Sequence, residues 1–198
     1  MGELISGLLS LPFRFGIPEP IFDCELPYIS QRHKEAFVER GLEVWTPTTE
    51  QEIRYFRIRS EDEQLSNFDY LAFIMAKDTA NSILLTGDKR LRLYASRHAV
   101  EVHGALWAID EIHAAGALPP RALYRALILF DEDPTVWLPM EEHMSRLKKF
   151  RDLSLDRRGR TASFAAEVFQ VSRVAPSGLT TCRLARTKRL FAIADEAE

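Results

Sequence analysis

Short apolar runs alternate along this sequence with longer stretches of helical spacing, and this alternation restricts the chain to a small group of folds. The strand-like runs occupy residues 13–17, 42–45, 82–86 and 100–102. A stretch with helical spacing follows each run, which is the order of repeated strand–helix units. We therefore predict an α/β fold built on a parallel sheet.

The third run carries the strongest strand signal. Ile83, Leu84 and Leu85 are apolar at consecutive positions, which is typical of a strand that is covered on both faces and so lies near the sheet centre. Gly87 then allows a sharp turn, and Asp88 can cap a helix that continues to about residue 97. Before this strand, the apolar residues of 66–77 fall mostly on one face, which predicts an amphipathic helix.

Prolines, glycines and helical spacing predict the other helices. These lie at residues 19–26, 30–40, 105–115, 119–130 and 139–150. After residue 151 the pattern weakens, and only 162–174 has a helical pattern. We therefore predict one domain over residues 1–150 and a basic extension over 151–198 that is loosely ordered or packed separately.

The composition agrees with a folded domain, since 46% of the 198 residues are hydrophobic and 28% are charged. No apolar run reaches the ~18 residues of a membrane-spanning helix, and the start of the chain lacks the basic segment of a signal peptide. Cys24 and Cys182 do not have the spacing of a zinc site. We therefore predict a cytoplasmic protein without a membrane partner, in which both thiols are inert.

Acidic residues stand where an α/β fold places its chemistry. Ligands of open parallel sheets bind at the carboxyl ends of the strands, and Asp88 directly follows the predicted central strand. Asp69 lies in the first turn of the helix predicted at 66–77, and Asp23 or Glu25 on the early helix can supply a third acid. Grouped carboxylates suit Mg²⁺ or Mn²⁺, which can activate water for attack on a phosphodiester bond.

Each acid also has a purely structural interpretation. Ser66 and Asp69 have the spacing of a capping box, and Asp88 is a suitable N-cap, so each can stabilise its helix by about 0.5–2 kcal/mol. Asp23 and Glu25 can be solvated surface carboxylates. The residue pattern by itself leaves the catalytic and the structural interpretations open.

Three blocks of the sequence are recognisable as a set. They read Ser66-Asn-Phe-Asp69-Tyr-Leu-Ala, Ile83-Leu-Leu-Thr-Gly-Asp88-Lys-Arg and Val102-His-Gly-Ala-Leu-Trp-Ala-Ile-Asp110-Glu. Their order and spacing resemble the second half of PIN-domain proteins, and a weaker resemblance extends upstream over 11–26. The resemblance covers about residues 3–150 and implies a three-layer α/β/α domain with a central parallel sheet.

PIN domains are metal-dependent ribonucleases, and they include the VapC-type toxins of bacterial toxin–antitoxin pairs. The resemblance therefore implies an endoribonuclease that uses a pocket of acids with Mg²⁺ or Mn²⁺, acts on RNA, and has an antitoxin protein or a second copy of itself as partner. Asp69 and Asp88 match two acids of that pocket, and the early-helix acid is Glu25 or Asp23. Thr86 can add a hydroxyl beside the metal, and the residues Lys89 and Arg90 can contact phosphate.

The chain departs from the family at its start. PIN domains open with a buried strand that ends in an aspartate, whereas Met1-Gly-Glu-Leu-Ile resembles the helix after that strand. Either the working protein is longer than this chain, or this copy has lost its central strand and first acid. The second case predicts a degenerate, catalytically inactive PIN-like module that acts by binding a protein.

An unrelated α/β domain of the flavodoxin-like or nucleotide-binding kind is a third interpretation, because a fold class does not specify a function. Such domains bind phosphate groups through glycine-rich loops. The sequence contains neither Gly-x-Gly-x-x-Gly nor Gly-x-x-x-x-Gly-Lys-Ser/Thr, so this third interpretation has the least support.

Overall fold

A computed structural model of the chain describes residues 2–24, 29–61, 65–132, 138–156 and 192–196. Its helices are α1 (Gly2–Leu9), α2 (Glu19–Cys24), α3 (Gln31–Glu39), α4 (Thr49–Glu61), α5 (Asn67–Asp78), α6 (Lys89–Arg97), α7 (Ala105–Ala114), α8 (Pro120–Glu132) and α9 (Met140–Asp156). Its strands are β1 (Phe13–Pro18), β2 (Leu42–Trp45), β3 (Ser82–Leu85), β4 (Glu101–His103) and β5 (Ala192–Glu196). The predicted α/β class is confirmed.

The five described strands form one sheet in the order β2-β1-β5-β3-β4. The pairs β1/β2 and β3/β4 are parallel, whereas β5 runs antiparallel to both of its neighbours, β1 and β3. The four strands β1 to β4 therefore point in one direction, and the prediction of a parallel sheet holds for them. The prediction is wrong for the centre of the sheet, because β5 enters from the opposite edge and makes the sheet mixed.

β5 belongs to the part of the chain that we predict from sequence as an extension. The strand lies inside the sheet, with Ile193 opposite Gly16 of β1 and Leu84 of β3. In addition, α9 continues to Asp156, beyond the residue 150 at which the sequence pattern places the domain boundary. The helical pattern at 162–174 lies outside the described residues, as does Glu25.

The core consists of two clusters, and successive residues of β3 contribute to different ones. Leu84 packs with buried side chains of α2, α5 and α6, whereas Ile83 and Leu85 pack with those of α1, α7, α8 and α9. Leu84 is fully buried, and its two neighbours are at most 8% exposed. The consecutive apolar residues of this strand are therefore covered on both faces, as predicted.

Local signals set several of the helix bounds. Ser66 caps α5 and Asp88 caps α6, and Gly41 and Gly116 take positive φ angles after α3 and α7, a conformation that glycine adopts without strain. Among the described residues, no helix has both the length and the apolar character needed to cross a bilayer.

Gly16 in β1 lies directly against a side chain of the neighbouring strand. A Cβ atom placed on Gly16 would overlap the indole ring of Trp45 in β2. The same ring donates a hydrogen bond from Nε1 to Glu43 Oε2 (2.8 Å). The Arg14 guanidinium, followed by this indole, holds the pKa of the Glu43 carboxyl below its usual value by hydrogen bonding. The ring is therefore held over Gly16 and cannot yield to a larger residue without loss.

We expect Gly16→Ala to lower the free energy of unfolding by about 1–3 kcal/mol, because overpacking forces side chains and backbone from their preferred positions. Gly2→Ala is the matched control, since a Cβ on Gly2 meets nothing within 4 Å. Urea denaturation of both variants measures the difference. Equal midpoints for the two variants would show that Trp45 is not held in place.

Candidate functional site

The carboxyl ends of β1 to β4 share one edge of the sheet, which we call the carboxyl edge. Helices α2, α6 and α7 begin within four residues of the ends of β1, β3 and β4, so their first turns lie at this edge. Helix α5 ends four residues before β3 and packs on the sheet, with the Ser82 hydroxyl donating to the Ala76 carbonyl. It runs opposite to β3, so its first turn approaches the same edge.

Asp69 lies in the first turn of α5 and is only 1% exposed. Its Oδ2 accepts hydrogen bonds from the Ser66 N–H (2.9 Å) and the Ser66 hydroxyl (2.8 Å), while the Asp69 N–H donates to Ser66 Oγ (3.3 Å). The predicted capping box is therefore confirmed. Asp69 is a structural residue of α5, whatever further role it has.

Asp88 lies at the end of the β3–α6 loop and is partly exposed. Its Oδ1 accepts from the backbone N–H groups of Arg90 (2.8 Å) and Leu91 (3.0 Å), so it is the N-cap of α6 as predicted. Thr86 positions this loop, because its N–H donates to the His103 carbonyl (3.0 Å) and its Oγ1 accepts from the Asp88 N–H (3.1 Å). A buried hydroxyl and a partly exposed carboxylate thus follow β3.

Basic side chains surround the start of α6. Lys89 and Arg90 are exposed in its first turn. Arg92 was not predicted as a site residue, although the basic run Lys89-Arg90-Leu91-Arg92 was a signal that could have indicated it. Its Nη1 lies 3.2 Å from where a Cβ on Gly104 would stand, so its guanidinium lies beside the N-cap of α7. The carboxyl edge therefore has cationic groups next to Asp88.

His103 lies at the end of β4. Its ring stacks on Trp107 at 4.6 Å between centroids with an interplanar angle of 12°, and its Nε2 lies 2.7 Å from Glu101 Oε1. His103 therefore packs at the turn from strand to helix. These contacts engage the ring in packing within the β4–α7 connection.

The structure describes only one of the two acids predicted on the early helix. Asp23 is exposed in the last turn of α2, and Glu25 lies outside the described residues.

The end of α2 is held by the buried side chain of Lys34, a contact that was not predicted from the sequence. Its Nζ donates to the carbonyls of Phe22 (2.5 Å) and Asp23 (3.5 Å) and lies 5.0 Å from the centre of the Phe22 ring. Cys24, the next residue, is an exposed thiol without a disulfide partner.

The donor set at the carboxyl edge fits a hard cation in kind but is small. Within the described ranges, no group of three or more His, Cys, Asp or Glu residues is close enough to hold a metal ion. Asp69 and Asp88 supply carboxylate oxygens, the ligand type of Mg²⁺ and Mn²⁺.

Comparison with protein-family models, with curated proteins and with solved structures finds no match to this chain.

Proposed function

We propose that this chain is a PIN-like, metal-dependent endoribonuclease whose active site is the carboxyl edge of the sheet. The observation that supports it is that α5 and α6 both begin at this edge and that each brings one carboxylate, Asp69 or Asp88. Ligand sites of open α/β sheets occur at such edges. In this proposal the fold is a three-layer α/β/α domain, and Glu25 completes the group of acids.

The residues of the chain have separate tasks in this proposal. Asp69 and Asp88 bind the cation, and their attachment to the first turns of α5 and α6 fixes the direction of their carboxylates. When held there, Mg²⁺ or Mn²⁺ would supply Lewis-acid chemistry that activates water and offsets negative charge on the phosphate. Lys89, Arg90 and Arg92 attract the phosphate backbone of RNA, since local cationic groups provide this affinity.

We expect the purified chain to cleave a labelled single-stranded RNA in the presence of Mn²⁺ and to lose this activity in EDTA. Asp88→Asn should lower the cleavage rate at least about 100-fold, because losing even an outer-shell group of a metal site lowers metal affinity or activity about 10–100-fold. Asp152→Asn is the control, since this exposed acid lies on α9 and pairs with its neighbour Arg151. Cleavage that survives both EDTA and Asp88→Asn would reject the proposal.

The second candidate is an inactive PIN-like module that binds a protein such as an antitoxin. Two observations favour it: both carboxylates already serve as helix caps, and the described residues contain no group of three possible metal ligands. Titration of the folded chain with Mn²⁺ by calorimetry distinguishes the two candidates. Binding that Asp88→Asn abolishes supports the nuclease, whereas a folded chain that binds no Mn²⁺ supports the inactive module.

A further inference from the structure

A cleft with a volume of about 470 Å³ lies between α1, α3 and the segment that leads into α8. This volume is in the range of small-molecule sites, which is about 300–1,000 Å³. The residues of the carboxyl edge that the nuclease proposal uses, Asp69, Asp88 and Arg92, do not line the cleft. The cleft is therefore a separate feature of the molecule.

The floor of the cleft is apolar. Phe37 of α3 is 8% exposed, and Leu118 and Pro119 of the α7–α8 connection lie beside it. Gly7 allows Leu118 to pack directly on α1, because a Cβ on Gly7 would lie 2.8 Å from the Leu118 side chain. Ala122, in the first turn of α8, also lines the cleft, and its small side chain leaves the space open. An apolar group that entered the cleft would be removed from water on this floor, which favours binding.

The polar groups of the cleft include an arginine that is held in place from both sides. Arg40 follows Phe37 by three residues, so the two share one face of α3. The Arg40 Nη1 donates to the Ser6 hydroxyl of α1, and this hydroxyl donates to the Gly2 carbonyl (2.8 Å). The guanidinium is therefore fixed between α3 and α1 before any ligand binds, which lowers the entropy that binding costs.

Glu3 supplies the opposite charge. It lines the same cleft one turn before Ser6 on α1. Within the described part of the chain, no hydrogen bond or ion pair joins the Glu3 side chain to another residue, and Ser6 is the partner of the Arg40 guanidinium. A guanidinium has five N–H donors, so most of those of Arg40 are open to a ligand. The cleft thus presents an acid and a base that do not neutralise each other, beside an apolar floor.

We propose that this cleft binds a free α-amino acid with a large apolar side chain. The ligand carboxylate accepts hydrogen bonds from Arg40, whose planar guanidinium matches the shape of a carboxylate. The ligand ammonium donates to the Glu3 carboxylate, and the apolar side chain lies on Phe37 and Leu118. Few polar groups around an apolar surface are the usual form of a small-molecule site. Because Glu3 and Arg40 are exposed, we expect a modest affinity, with a Kd of about 1 mM.

The proposed recognition of both ligand charges is tested with three compounds that share a phenyl group. L-phenylalanine has both charges, 3-phenylpropionate lacks the ammonium, and 2-phenylethylamine lacks the carboxylate. In ligand-observed NMR titrations of the full chain, we expect phenylalanine to bind at least about tenfold more tightly than either of the others. L-alanine should also bind at least about tenfold more weakly than phenylalanine, because it lacks the large apolar group. No saturable binding of phenylalanine up to about 10 mM, or equal binding of the three phenyl compounds, overturns the proposal.

Substitutions assign each ligand charge to its residue. Glu3→Gln should weaken phenylalanine about tenfold and leave 3-phenylpropionate unchanged, whereas Arg40→Gln should weaken phenylalanine about tenfold and leave 2-phenylethylamine unchanged. Arg32→Gln is the control, since this exposed arginine also lies on α3 but does not line the cleft. Ala122→Leu should weaken phenylalanine by filling the cleft without changing a charge.

Circular dichroism checks that each variant keeps its helices. If Arg40→Gln binds phenylalanine as tightly as Arg32→Gln does, or if Glu3→Gln weakens phenylalanine and 3-phenylpropionate equally, the assignment of the cleft is wrong. These measurements use neither RNA nor metal, so they are independent of the nuclease proposal.

Discussion

A chain that ends at Asp156 is expected to lose its cooperative folded state, because it lacks β5. This strand is bonded to β1 over 13–16 and to β3 over 82–85. Its removal leaves two facing sheet edges with unpaired backbone groups, which is unfavourable in a core and promotes aggregation. We expect a loss of about 5 kcal/mol or more, comparable with the net stability of a domain. Urea denaturation followed by tryptophan fluorescence measures it.

Two companion experiments test whether the loss comes from β5 itself. Ile193→Pro in the full chain should reproduce most of it, since proline cannot donate a hydrogen bond within a central strand. A synthetic peptide of residues 187–198 added to the shortened chain should restore folding, whereas a scrambled peptide should not. A shortened chain that unfolds at the same urea concentration as the full chain would show that β5 is not part of the sheet.

The second large effect concerns Asp69, whose capping and metal-binding roles can be separated. We expect Asp69→Asn to reduce Mn²⁺-dependent RNA cleavage at least about 100-fold, because the amide keeps the shape of the carboxylate but removes the charge. Ser66→Ala removes the partner of the same capping box but leaves the carboxylate. It should lower the free energy of unfolding by about 1 kcal/mol and leave cleavage close to that of the wild type.

The comparison between these two variants decides the role of Asp69. If the carboxylate only caps α5, both substitutions should reduce stability and neither should change cleavage selectively. Cleavage rates measured well below the unfolding temperature of each variant keep the two effects apart. Equal cleavage by the two variants at equal folded fraction would remove Asp69 from the proposed metal site, while the assignment of Asp88 would be tested separately.

Elements with strong local signals were predictable to within a few residues. For α5, β3 and α6 these signals were a capping box, a consecutive apolar run and an N-cap. No helix bounds were predicted for α4, because Ile53 and Phe56 lie on its exposed face and disturb the amphipathic pattern on which the prediction of a helix depends.

The candidate site was predictable in part for the same reason. The cap positions of Asp69 and Asp88 follow from neighbours within three residues in the chain. The contribution of Arg92 at Gly104 depends on how α6 packs beside β4, and the support of α2 by Lys34 joins residues eleven and twelve positions apart. Such contacts depend on packing, so residue types alone do not show them.

The sequence by itself determined the α/β class, the direction of four strands and the placing of two acids at helix starts, because caps, turns and hydrophobic periodicity act over a few residues. Only the tertiary structure decided what occupies the centre of the sheet. The segment Ala-Ile-Ala-Asp-Glu has little intrinsic preference for a strand, and it becomes one through hydrogen bonds to β1 and β3, more than 100 residues away in sequence. Pairing over such distances depends on two strand edges that come together only in the folded chain.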